Sequence, residues 1–203
     1  MFAYFCFMRL RDVHKEDLVK KTAVELLVQT GFEGFSMNKL AKACNISVAT
    51  LYIYYKDKDD LIIKIAQEEA ERIAKDTLQN FDPESSFEEG LKQQWINRSQ
   101  SMLKNEYSYR LFEQLRSSTY KQKWGEVLIN TFNPVLGPFM QKAISNREID
   151  ELSFEVFWSL AYAPLYNLLS CHFEGTTYNG KPFKLTDDIL WQTFKYVIKG
   201  LKN

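Results

Sequence analysis

Residues 31–61 carry two serines, Ser36 and Ser47, each followed by a short apolar stripe, with Asn45 between them. This arrangement leaves few folds open. A serine hydroxyl can accept a bond from a free backbone N–H in the first helical turn, so each serine is a good helix start. After Ser36, the residues Met37, Leu40, Ala41 and Cys44 recur at helical spacing. Asn45 tolerates the left-handed backbone that ends helices. Ile46 can plug the corner, and Val48, Leu51 and Tyr55 continue an apolar face beyond Ser47. Two short helices across a tight turn form a helix-turn-helix, whose second helix can enter a DNA major groove.

The spacing predicts that Ser47, Thr50 and Tyr54 lie mostly off the apolar face. Hydroxyls of Ser47, Thr50, Tyr52 and Tyr54 can bond phosphate oxygens or base edges. Ser36 and Lys39 open the preceding helix and join the candidate contacts. Val48 and Ala49 can pack on thymine methyls. Lys58 falls near the start of the next helix, where an ammonium and free N–H groups together suit a phosphate. On periodicity alone, the segment better fits an ordinary helical hairpin whose tyrosines are half-buried packing residues.

The run resembles the N-terminal domain of the TetR family of transcriptional regulators. The resemblance is carried by Gly31-Phe32, Ser36, Leu40-Ala41, Ile46-Ser47, the stretch from Thr50 through Leu51, Tyr52, Ile53 and Tyr54 to Tyr55, then Lys58 and Asp60-Leu61. It covers roughly residues 13–63. Val48 stands where the family often has Lys, which removes one contact to DNA. Tyr55 stands where Phe is usual, so its hydroxyl needs a partner if the ring is buried.

Nine Lys and Arg stand against six acids over residues 9–58, within a chain of zero formal net charge. The asymmetry has the sign that DNA binding requires, and net neutrality argues against a wholly basic coat. The 203 residues allow one large or two small domains, and 45% hydrophobic content is enough for a substantial core. Cys6, Cys44 and Cys171 show no metal spacing and fit a reducing cytoplasm. No metal or cofactor is expected. His14 and His172 lack ligand-spaced neighbours, and no phosphate loop or nucleophile elbow occurs, so no enzyme is expected. Residues 1–8 are apolar but too short to span a membrane; they read as an appendage or an upstream start, with Met8 the working initiator. No membrane segment or membrane partner is expected.

The expected fold class is all-α. A three-helix helix-turn-helix domain over residues 9–60 is joined by a long helix to a helical ligand-binding and dimerisation domain over 61–203. A first helix is expected over 13–30, with Leu18, Ala23, Leu26 and Leu27 buried and Gly31 closing it. The joining helix should run from about 58 to 80 and be the mechanical link between the domains. Ser85 or Ser86 should cap a helix to about 104. Further helices are expected over 107–117, over 121–145 (kinked or split by Pro134 and Pro138), over 153–173, and after Thr186.

The resemblance also implies a ligand pocket in the C-terminal half, for which Trp95, Met102, Phe112, Trp124 and Phe132 are the candidates. The two prolines are expected to bend their helix and open it. Most aromatics of this half fit plain helix interfaces better than a pocket. The last two long helices would form the dimer interface, with Phe157, Trp158, Ala161, Leu165, Leu168 and Phe194 as its candidates. The expectation is then a cytoplasmic homodimer that binds a palindromic operator on double-stranded DNA. A small apolar or aromatic effector would release it, with repression the commoner mode of the resembling family. Two alternatives stay open: a ligand-independent architectural or division-associated DNA-binding protein, and a helical ligand-binding or enzymatic domain with a vestigial helix-turn-helix.

Overall fold

The computed structural model describes residues 13–202. Its first three helices are α1 (Val13–Gly34), α2 (Met37–Ala43) and α3 (Val48–Tyr54). The backbone of α1 leaves helical geometry at Gly31, with φ 67° and ψ 174°, so the predicted stop is real. A side chain there would force a left-handed strain that glycine avoids. Val19, Ala23 and Leu27, four residues apart, form the buried stripe. Leu18 departs from expectation at 50% exposure, because it precedes that stripe by one position, about 100° around the helix.

Ser36 accepts from the Lys39 N–H at 3.3 Å, and Ser47 accepts from the Thr50 N–H at 3.2 Å. Asn45 takes φ 53° at the turn between α2 and α3. Cys44 is buried, and burial pushes its thiol up, so it stays protonated as a small core residue.

Asp57 caps α4 (Lys58–Thr77), which carries Leu61, Ile62, Ile65, Ala66, Ala70 and Ile73 on its buried face into the C-terminal half. There follow α5 (Phe87–Lys104), α6 (Glu106–Arg116), α7 (Lys121–Ser145), α8 (Phe154–Ala161), α9 (Ala163–Glu174) and α10 (Asp187–Leu201). Of the two possible caps for α5, Ser86 is used, and it shares a reciprocal capping box with Glu89. Thr186 caps α10 as expected.

Two expectations need correction. The helix α7 runs unbroken through Pro134 and Pro138. Asn130 and Pro134, whose carbonyls lose their i+4 N–H donors, are exposed, so water can take those oxygens. The apolar segment 153–173 is two helices, because the chain breaks at Tyr162 and restarts with Pro164 in the first turn of α9.

One apolar core runs from α1 through α10. Within it α5 and α7 approach so closely at Gly90 that an added Cβ would clash with the Phe139 ring. The joining helix α4 is not the sole tie between the halves. The Gln114 amide of α6 donates to the Val28 carbonyl of α1 at 3.1 Å. The Tyr120 hydroxyl, at the start of α7, donates to Asp59 at 2.5 Å, and its ring lies 5.1 Å from Phe32. Burial and the adjacent Asp59 carboxylate both push that phenol up, so it remains a donor.

Candidate nucleic-acid interface

The caps and the turn fix which face of α3 is open. Leu51 is fully buried, while Tyr52 and Ile53 are 53% and 56% exposed. Ser47, Ala49, Lys39 and Lys56 are also exposed. Thr50 is half-buried, and its hydroxyl sits 2.9 Å from that of Ser47. Ser36 is half-buried and occupied as a cap. These groups form a short polar ridge of hydroxyls and ammonium groups beside two exposed apolar surfaces, which suits phosphates and base edges.

Tyr54 does not belong to that ridge. It is 8% exposed and part of the core, contrary to the expectation that it lies off the apolar face. The reason is periodic: Tyr54 and Tyr55 follow Leu51 by three and four residues, so both turn inward with it. Val48 is half-buried and packs against the core, leaving Ala49 as the more open of the two small apolar candidates.

Both flanking lysines are anchored. The Lys39 ammonium donates to the Gly34 carbonyl and the Lys58 ammonium to the Phe32 carbonyl, each at 2.6 Å. An ammonium has three donors, so each can still meet a phosphate while tied to the end of α1. Lys56 and Ile53 were not among the expected contacts. They lie within the same run, and their exposure is what singles them out.

In the C-terminal half, the five expected pocket residues are packed in the core rather than around open space. Trp95 is fully buried, donates its indole N–H to the Ala161 carbonyl at 2.8 Å, and meets Phe194 edge-on. Met102 is buried. Phe112 lies 5.1 Å from Trp124 and stacks on Tyr166 at 4.7 Å. Phe132 is partly buried and lies over Arg98. The space beside Trp124, bounded by Ile63, Ala66, Tyr120 and Val127, is about 10 Å³. That holds one water at most. A groove of about 120 Å³ lies between α5 and α10, lined by Ile96, Leu103, Leu190 and Trp191. The prolines of α7 therefore open no chamber beside Trp124. Arg98 lies among those rings at 4% exposure.

The expected dimer residues divide. Ala161, Leu165 and Phe194 are buried within the protomer. Their helices pack on one another and on α5, so they cannot face a partner as their main role. Phe157, Trp158 and Leu168 are half-buried. The exposed apolar surface is carried instead by Phe154, Val156 and Leu160 on α8, at 61%, 45% and 41%, and by Tyr196 on α10 at 66%. Among the described residues no group of three or more potential metal ligands occurs, and no helix is long and apolar enough to cross a membrane.

Residues 21–65 match the sequence profile of bacterial regulatory proteins of the tetR family. A transcriptional regulator of helix-turn-helix type from Haemophilus influenzae is 33% identical over 72 residues, which is 36% of this chain and 38% of that protein. The fatty acid metabolism regulator protein of Bacillus subtilis is 26% identical over 133 residues, 64% of this chain and 68% of that protein. The fold extends further than the sequence likeness. A TetR family regulator from Marinobacter aquaeolei superposes with a TM-score of 0.83 at 23% identity, over 97% of this chain and 100% of that one. The regulator FadR from Bacillus subtilis, in complex with stearoyl-CoA, superposes with a TM-score of 0.72 at 16% identity, over 94% and 100%. Residues 21–65 thus carry the N-terminal domain of the tetR family of bacterial regulatory proteins, and the chain as a whole has the fold of a TetR family regulator.

Proposed function

We propose that this chain is a ligand-responsive repressor that holds a near-palindromic operator as a homodimer in the cytoplasm. The observation that carries the reading is the open face of α3, where Ser47, Thr50 and Tyr52 stand over a buried Leu51, with Lys39 and Lys58 fixed at the end of α1. Tyr52, Thr50 and Ala49 would meet base edges, and the lysines would meet phosphates. Two copies would present two reading helices about 34–36 Å apart to fill successive major grooves.

The exposed Phe154, Val156 and Leu160 of α8, with Tyr196 of α10, support an isologous interface built from those helices. Half-buried Phe157, Trp158 and Leu168 would complete its rim. Release by an effector is supported by the route through which the halves touch. Phe112 of α6 and Trp124 of α7 share one aromatic cluster, and α6 and α7 in turn grip α1 and the start of α4 through Gln114 and Tyr120. A ligand that parts α6 from α7 would shift the reading helices, and a modest displacement misplaces one half-site. That the similar regulator from Bacillus subtilis was crystallised with stearoyl-CoA favours an effector with a long apolar part.

The test is a titration of apolar candidates, first alone and then with operator present. A ligand can shift the bound state only by preferring another conformation. Operator must then weaken ligand binding by the factor by which ligand weakens operator binding. A ligand bound in the C-terminal half without effect on operator affinity would reject release. Operator binding with no ligand response across the panel would favour the architectural alternative, to which the closed packing beside Trp124 also lends itself.

A further inference from the structure

Arg98 is the only charged side chain among the described residues that is buried, at 4% exposure. Its guanidinium stays charged at any ordinary pH, and charges are kept inside proteins when they are paired. Here no carboxylate of the described residues forms an ion pair with it. Its Nη1–H donates to the Tyr166 hydroxyl at 3.0 Å, and its planar head lies 4.4 Å from the Tyr162 ring and 5.1 Å from the Phe132 ring. The rings offset part of the charge. The phenols give no counter-charge: burial pushes Tyr162 further up, so it remains neutral and donates to Gln94 at 2.5 Å. The Nε–H of Arg98 has no acceptor at all.

A second buried donor without a partner sits on the same cluster. The indole N–H of Trp124 has none, and the side chains connect: Arg98 bonds Tyr166, Tyr166 stacks on Phe112, and Phe112 meets Trp124 edge-on. Unpaired buried donors are rare and call for an acceptor. A cation with one unpaired N–H, and an orphaned indole N–H farther along the same cluster of aromatic rings, are the elements of a site for an anion with an apolar body. We propose that Arg98 holds the carboxylate of an otherwise apolar effector whose body lies among the rings that reach to Trp124, a reading that rests on the C-terminal half being the effector domain. The unpaired Nε–H of the guanidinium is a charge-assisted donor suited to a carboxylate oxygen.

A ligand would have to part this packing. Between Trp124 and Phe139, α7 has no fully buried residue, although Val127, Leu128, Phe132 and Leu136 lie half inside. That stretch is the wall able to yield. The Phe132 ring covers one face of Arg98, so its rotation outward would admit the head, and the tail would enter as that wall of α7 parts from its neighbours.

The experiment uses the full chain and a matched series of straight-chain carboxylates from octanoate to stearate, the alcohols of the same lengths, and stearoyl-CoA. Binding is followed by tryptophan fluorescence and calorimetry, and release by operator anisotropy. The carboxylates should bind at least about tenfold tighter than the alcohols, as expected for a hydrogen-bonded charge pair. Arg98→Gln should bring the two classes to equal affinity, and Arg98→Lys should restore part of the preference. Should the glutamine variant fail to fold, the wild-type series alone decides. Alcohols binding as tightly as carboxylates and releasing operator would overturn the role of Arg98 and leave the effector reading intact. Stearoyl-CoA binding with free carboxylates inert would overturn it in favour of the thioester. If no compound binds the C-terminal half, the effector reading falls as well.

Discussion

Leu51 and Tyr52 are adjacent on α3 and should respond to substitution in opposite ways. Leu51 is fully buried against the helix-turn-helix core. Truncating such a leucine to alanine costs about 2–5 kcal/mol through lost burial and the cavity left behind. For a chain of this size that corresponds to a drop of about 4–20 °C in Tm. Tyr52 is 53% exposed, and Tyr52→Phe removes only its hydroxyl. Surface changes of this kind stay within about 0.5 kcal/mol of wild-type stability. The hydroxyl is nonetheless placed to meet DNA, and one lost contact is worth about 1–3 kcal/mol, or roughly 5- to 150-fold in affinity. Circular dichroism melts and operator anisotropy at fixed salt read the two effects separately. The expected pattern is a stability loss at Leu51→Ala and an affinity loss without stability loss at Tyr52→Phe. Unchanged operator affinity in Tyr52→Phe would show that the exposed face of α3 does not read DNA through this hydroxyl and would refute the assignment.

Lys58→Ala removes the donor to the Phe32 carbonyl and a phosphate partner. It should weaken all DNA sequences about equally and lower the salt slope by about one, and a loss confined to one operator in competition assays would contradict the phosphate role. Leu160→Glu and Phe154→Asp place charges on exposed apolar positions of α8; light scattering should find monomers with a Tm near that of the wild-type protomer, and persistent dimers would move the interface elsewhere. The Lys64 ammonium and the Lys56 backbone N–H hold the Asp60 carboxyl below its ordinary value. Its stabilising contribution is then full above the ordinary value of about 4 and is lost as pH falls through the lower folded value. Acid unfolding should thus be shallower in Asp60→Asn than in wild type, and identical pH profiles would show that the contacts carry no linkage.

The DNA-binding half was legible because each of its signals is local. Ser36 and Ser47 cap, Gly31 and Asn45 turn, and the apolar stripe between them is short and regular. Tyr54 was misplaced although the spacing from Leu51 contained the answer; the hydroxyl drew attention to chemistry where the periodicity pointed inward. The C-terminal half was legible as helices but less so as surfaces. Its aromatics are spread over several helices, and which of them share a cluster depends on how those helices cross, which no local pattern encodes. Leu165 and Phe194 look like interface residues in an apolar run, yet the break at Tyr162 turns α9 so that Leu165 points into its own core. Arg98 left a readable trace. It occupies the buried stripe of α5 formed by Leu91, Trp95 and Met102, a position where a charge is out of place. Only the packing reveals that its Nε–H is unpaired.

The central claim is that the open face of α3 and its flanking lysines grip specific DNA. Selection of genomic fragments by the purified full chain, with affinities of the selected sites followed across salt, tests it most directly. The expected result is one short near-palindromic motif, with half-site centres one helical turn or a multiple apart, and a log-log salt slope set by the number of phosphates met. Enrichment of no motif, or binding equal to that of random duplex at every salt concentration, would contradict it.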